Sequence, residues 1–360
     1  MQNTFSQKYS SVIWWCTAAL IAVLLRVTLS PDIIEEVYTR FIFQGIRVFI
    51  DYTVGTLPFP AVYLFLTALV IYLFRKAKRG IQKEGDLTVK LLRFGRFLLT
   101  FSAAAVFLFL FLWGFNYGRV SIEKQLRFSP QPLEYEALQT EFEKTTRLLI
   151  AARAAVPGAT DSVLSPDLMP DNAEDLIRKD LEIWLQNHRF PTAGRVRGRL
   201  LYPKGTLLSI STAGVYLPWV GEGHIDAGMY FIQHPFVMAH EMAHGYGFTD
   251  EGTCNFVAYL ALKDSENPFF RYSAVLGYWV YLASGVARFD YEAYKTYYDT
   301  LPLGIRKDRQ YIRAWSDRYP DILPKVRDAF YDNYLKTQGV KEGMKSYSRV
   351  VMLVTAWERR

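Results

Sequence analysis

The chain has 360 residues, a formal net charge of +7 and two cysteines, Cys16 and Cys254. A hydrophobic content of 51% with 16% aromatics excludes a disordered chain, and Cys16 lies inside an apolar run, which excludes a disulfide framework. The positive balance comes without a nucleic-acid-binding signature, so nucleic acid is not an expected partner.

Apolar residues concentrate in the first 118 positions. Runs over about 10–29, 53–74 and 97–118 predict three transmembrane helices, because about 20 residues rising 1.5 Å each cross a hydrocarbon core. The second and third runs carry no charge. The first carries Arg26, which can snorkel to an interface. Its uncharged core, 12–25, also has the length of a signal-peptide apolar region, but no small-residue cleavage site follows, so a retained anchor is expected. Residues 75–96 hold eight Lys/Arg, against Arg40 and Arg47 in residues 30–52. Basic short loops stay in the cytoplasm. The loop 75–96 and the N-terminus are therefore expected inside, in a bacterial inner membrane, and everything after Gly118 outside, in the periplasm. Residues 30–52 show near-helical apolar spacing (Ile33, Val37, Phe41, Ile46, Phe49, Ile50). They suit an amphipathic helix on the bilayer or a face packed on the following domain. The expected units are a membrane domain, 1–118, and an extracytoplasmic domain, 119–360, with the lipid bilayer as a partner.

In the second unit, 133–156 reads as a helix through Leu138, Phe142, Leu148 and Leu149. A further helix runs from a cap at Asp171 or Asn172 to about Asn187. Residues 196–202 and 206–216 are the strand candidates, joined near 203–205, and 218–228 is turn-rich. Beyond Pro235 the pattern is helix after helix, with breaks near Gly247, 267–268, Pro302, Pro320 and 339–343.

Inside this helical stretch stands His240-Glu241-Met242-Ala243-His244, an H-E-x-x-H motif with apolar neighbours. Pro235 suits a helix start, and Gly245 and Gly247 a helix end. Histidines four apart on a helix share one face and can grip one metal ion, with Glu241 placed as a general base. The bland alternative is a buried helix whose histidines satisfy neighbours. With five histidines in the chain, so specific an arrangement favours the metal. A catalytic zinc takes three protein ligands. Glu251, opening a helix over 251–262 after the turn 245–247, is the best third ligand, and Asp250 is the reserve. Asn255, one turn on, is a candidate to hold Glu251 or a histidine. A helix-start acid is the alternative for Glu251. Tyr216, His224 and Tyr272 are candidates for an oxyanion or substrate contact. His188 and His234 read as structural. Residues 206–216 are also the candidate edge strand for an extended substrate.

H-E-x-x-H followed by Glu251-x-x-x-Asn255 resembles the gluzincin-type zinc peptidases. A longer resemblance is to an uncharacterised membrane family, mainly of Bacteroidetes, catalogued as a domain of unknown function. It rests on 113–119 (Trp-Gly-Phe-Asn-Tyr-Gly-Arg), 214–218 (Gly-Val-Tyr-Leu-Pro), 240–260, 331–336 (Tyr-Asp-Asn-Tyr-Leu-Lys) and Ser346-Tyr347. It implies three N-terminal membrane helices followed by a mainly α, zincin-like α+β domain with a small sheet. Relatives tend to have Glu-Ala where this chain has Thr253-Cys254, which leaves Glu251 as the carboxylate to test. The expected function is a membrane-anchored zinc metallopeptidase acting on peptides outside the cytoplasm. The alternatives are a non-catalytic zinc-containing scaffold and an intramembrane protease. The polar residues around the motif (Glu222, His224, Asp226, Asp250, Glu251) speak against the latter.

Overall fold

The computed structural model describes residues 5–82, 85–322 and 349–360. The segments 331–336 and 346–347 and the break near 339–343 lie outside them. The chain sorts into two compact units. One is Met1–Val120 with Ala193–Arg195 and Leu217–Gly221; the other is Ser121–Thr192, Val196–Tyr216 and Glu222–Arg360.

In the first unit, α1 (Phe5–Thr28), α2 (Phe43–Asp51), α3 (Val62–Gln82) and α4 (Leu87–Leu112) follow in order. α1 packs along α4, where Trp14 and Trp15 meet Phe107 edge-on at 6.3 and 5.9 Å. Among the described residues, two stretches are long and apolar enough to cross a bilayer, Ser10–Thr28 and Leu87–Leu112. That corrects the expectation of three. The run 53–74 is not one helix: Val54–Thr56 is a single 3-10 turn and α3 starts only at Val62. Pro58 and Pro60 lack amide hydrogens and push their preceding residues out of helical dihedrals. The uncharged part of α3, 62–74, then spans about 20 Å, short of a hydrocarbon core of about 30 Å. The last expected helix also moves. α4 begins at Leu87, where Asp86 accepts from the Val89 N–H at 2.9 Å, and Gly114–Gly118 turns as 3-10 helix instead. Lys90, Arg93 and Arg96 therefore lie on α4, not in a loop.

Residues 31–51 are helical throughout, with Ile34–Ile42 wound as π-helix. Their buried face carries paired polar groups beside Ile34, Tyr38 and Phe43. Glu35 accepts two hydrogen bonds from Arg119 at 3.0 and 3.1 Å and pairs with Arg40 at 3.1 Å. Thr39 donates to Asn116 Oδ1 at 3.0 Å. Asp51 accepts from Arg47 at 3.1 Å and from the Arg195 N–H at 2.8 Å. Val37, Phe41 and Phe49 face outward. Such an arrangement, paired charges inside and apolar side chains outside, suits a lipid solvent.

The second unit has a helical core. α5 (Tyr135–Ala154) packs on α9 (Pro268–Phe289); Leu138, Phe142 and Leu149 are fully buried, and Trp279 donates to Thr146 Oγ1 at 2.9 Å. α6 (Ala173–Asn187) buries Ile177, Leu181 and Leu185. The sheet has three strands, β1 (Arg197–Leu201), β2 (Gly214–Leu217) and β3 (Glu222–Asp226), in the order β1-β3-β2. β1 and β3 are parallel, with Gly198 opposite Gly223 and Arg199 opposite His224. The expected strand over 206–216 is thus mostly turn, with a 3-10 segment at Leu208–Ile210, and β3 arises where turns were expected.

α7 (His234–Gly245) lies on this sheet and is followed by α8 (Glu251–Leu262). Its approach is close because two facing strand positions lack side chains. A Cβ at Gly198 would meet Met238 Cγ at 2.7 Å, and one at Gly223 would meet Glu241 Cβ at 2.7 Å. Gly247, at φ +89°, makes the turn that brings α8 back onto α7. α10 (Tyr291–Thr300), α11 (Leu303–Ser316) and α12 (Arg349–Glu358) complete the unit, with α12 against α8.

Candidate metal centre

α7 places His240 and His244 on one face, with ring centroids 4.9 Å apart. Pro235 starts the helix, where its missing N–H costs nothing. The fold-back of α8 brings Glu251 to the same point. Glu251 Oε2 lies 3.0 Å from His240 Nε2, and Oε1 lies 3.6 Å from His244 Nε2. One donor atom from each of the three residues lies within 4.8 Å of the others. Bonds of about 2.05 Å in tetrahedral directions would set such atoms about 3.3 Å apart, so the cluster is the right size for a metal ion.

The far sides of both rings are fixed. His240 Nδ1 faces Asn255 Oδ1 at 2.9 Å, and the Asn255 amide donates to Tyr281 Oη at 3.0 Å. That second bond turns the amide oxygen toward the imidazole. His244 Nδ1 faces the Phe248 carbonyl at 2.9 Å. Both partners accept, so both rings carry hydrogen on Nδ1 and aim Nε2 at Glu251. Cys254 Sγ is 3.3 Å from His244 Nδ1 and donates to the Phe248 carbonyl. It is a buried helix residue on the wrong side of the ring to bind a metal. Asp250, the reserve ligand, instead caps α8 through the Thr253 N–H at 2.7 Å and pairs with Arg349 at 2.8 Å.

The protein around Glu251 opposes its ionisation, but hydrogen bonds from His240 and then His244 outweigh this and lower its pKa below the ordinary carboxylate range. Glu241 lies in the opposite situation. Burial pushes its pKa up to about 8, with His244 pulling down and Glu251 adding to the rise. Its Oε2 has no hydrogen-bond partner among the described residues. Gly214, on the edge strand β2, passes directly over it; a Cβ there would overlap Glu241 Oε1. A divalent cation held by His240, His244 and Glu251 would add the positive charge that an ionised Glu241 needs.

The three oxyanion candidates separate. Tyr216 is on the metal side of the sheet: it sits two residues from Gly214 on β2, and its Cε2 is 3.5 Å from the Cβ position of Gly245. His224 is corrected. Gly223 faces Glu241, so its strand neighbour His224 points to the other face, where it is fully buried. Tyr272 is corrected too. It is fully buried and donates at 2.9 Å to Asp308, which also accepts from Arg153 at 2.7 Å. His234 is structural: its Nε2 donates to the Met229 carbonyl at 3.1 Å, and burial lowers its pKa to about 4. His188 Nδ1 meets the Trp184 carbonyl near the end of α6.

Sequence reasoning missed Gly214, Tyr281 and the Phe248 carbonyl. Gly214 belongs to a segment whose resemblance was noted, but nothing local marks its approach to Glu241. Tyr281 is one of 24 tyrosines, and a backbone carbonyl has no side-chain signature.

A family model described as "Protein of unknown function (DUF3810)" matches residues 38–355. No curated protein and no solved structure gives a match. With nearly nine-tenths of its length covered, the chain belongs to that family.

Proposed function

We propose that this family member is a membrane-anchored, zinc-dependent peptidase with a gluzincin-like site and a zincin-like order of sheet and helices. One observation carries the reading. Two imidazole nitrogens and one carboxylate converge on a point, beside a buried glutamate whose Oε2 has no partner among the described residues. Two imidazoles with one carboxylate suit zinc better than calcium or magnesium, which prefer oxygen donors. Zinc bound there supplies Lewis acidity toward a water and a peptide carbonyl.

The chain's own residues do the rest. Asn255 and the Phe248 carbonyl hold the rings in the ligating tautomer. Glu241 takes a proton from the attacking water and returns it to the leaving amine. The edge of β2 holds the substrate backbone in extended form, and Tyr216 is the remaining oxyanion candidate. A scaffold function would leave Glu241 unexplained, because buried structural carboxylates are normally hydrogen-bonded.

The basic start of α4 is assigned to the cytoplasm and its Leu112 end to the outer face. The second unit then lies outside the cytoplasm, in the periplasm of a bacterium with two membranes. The test uses the full chain purified in detergent. Glu241→Gln is expected to keep about one zinc per chain and to lose cleavage of denatured protein substrates by about 10²–10⁴-fold. Equal cleavage by the variant removes Glu241 from the mechanism. A wild-type chain that retains no zinc ends the reading.

A further inference from the structure

A second feature adjoins the centre. α10, α11 and the segments 208–213 and 228–233 enclose a cleft of about 1280 Å³. Small-molecule sites occupy about 300–1000 Å³, so this one has room for several residues of a polymer. One wall ends at Ala213. The next residue is Gly214, which passes over Glu241. A peptide extended along β2 therefore runs from the reacting position directly into the cleft.

The walls are cationic and aromatic. Lys295, Arg306, Lys307, Arg309 and Arg313 line the cleft, and none has a carboxylate partner among the described residues. Against these five stand Asp299, Asp317 and Asp321, a balance of +2; Asp321 already accepts from Ser211 at 2.8 Å. The Arg306 and Arg309 side chains are partly exposed in the cleft wall, and Arg309 lies against the Tyr294 hydroxyl. Arg309 is held over the Trp279 ring at 5.5 Å, so its guanidinium is positioned in advance. A carboxylate satisfies an accessible guanidinium through two bonds at once. Tyr294 and Tyr298 supply flat walls that pack a peptide backbone at low entropic cost.

We propose that this cleft is a subsite for an acidic stretch flanking the scissile bond, so that the substrate class is acidic polypeptide. The proposal rests on the peptidase reading above. An apolar stretch would give the excess cations of the wall no counter-charge, and a basic one would be repelled.

Two fluorescein-labelled peptides, identical except for a run of glutamates or of lysines on one flank, separate the claims. Binding is measured by anisotropy on the full-length Glu241→Gln protein with zinc. The glutamate peptide is expected to bind about tenfold or more tightly. The Arg306→Glu/Arg313→Glu pair should reverse that order, with its circular dichroism unchanged. If that pair misfolds, Arg306→Gln/Arg313→Gln replaces it and should bring the two affinities to within about twofold. Equal binding by the parent protein, or an order unaffected by either pair, overturns the subsite. Wild-type protein that binds the glutamate peptide but cleaves neither overturns the peptidase reading and leaves the subsite standing.

Discussion

Asn255 shows what a single side chain contributes at this centre. It offers no atom to the metal position itself, yet its carbonyl fixes the His240 ring and its amide is pinned by Tyr281. Partners of this kind shift metal affinity by about 10–100-fold. Asn255→Ala is therefore expected to weaken zinc binding by that factor in competition with a chelating dye. Tyr272→Phe, removing a hydroxyl bonded to Asp308, should leave zinc affinity unchanged. Equal losses in both would mean that the measurement reads general destabilisation. At this scale the sequence was informative where spacing is local. The i,i+4 pair of histidines and the i,i+4 pair Glu251 and Asn255 each share a helix face by geometry alone. Tyr272 was misjudged because a tyrosine near a motif in sequence carries no information about which way its helix faces.

Helices were legible and strands less so, for a physical reason. α5 and α6 bury one stripe against the core, and that stripe recurs with the helical period, whereas α7 and α8 are buried almost all round and are marked by their apolar runs and end signals. β3 breaks the usual alternation. Its buried face away from α7 carries Glu222, His224 and Asp226, where Arg199 donates to Glu222 at 3.1 Å and Asp226 accepts from the amides of Gly205, Leu207 and Gly228. Charged residues between glycines look like a turn when their partners are unseen. The other face of β3 needs its glycine. Gly223→Val would push a side chain against Glu241 Cβ and its backbone, which lies at 3.1 Å. Overpacking of this kind costs about 1–3 kcal/mol, and here it lifts the metal helix. Thermal melting should shift downward, and zinc affinity should fall with it. A variant with unchanged melting and zinc binding would contradict the close contact of α7 with the sheet.

Across the whole molecule, the two units obey different solvents. The first exposes many large apolar side chains along its long helices; the second buries a large apolar core. The assigned orientation makes a direct prediction. Lys90→Cys, exposed near the start of α4, should resist a membrane-impermeant maleimide in cells whose outer membrane has been opened. Ser162→Cys, exposed in the second unit, should react. The opposite pattern would put the metal centre in the cytoplasm and remove an extracytoplasmic substrate.

Read alone, the sequence marked the two imidazoles and their neighbouring glutamate, offered Glu251 as the best carboxylate from the next helix, and showed long apolar segments near the N-terminus. All of these are local, since one helical turn or one uninterrupted run suffices to define them. Only the tertiary structure decided that the second apolar run is broken, that β3 exists, that Gly214 lies over Glu241 and that Tyr281 supports the centre. Those features join positions far apart in the chain, such as 214 with 241 and 255 with 281. Their energies come from contacts that no local pattern encodes.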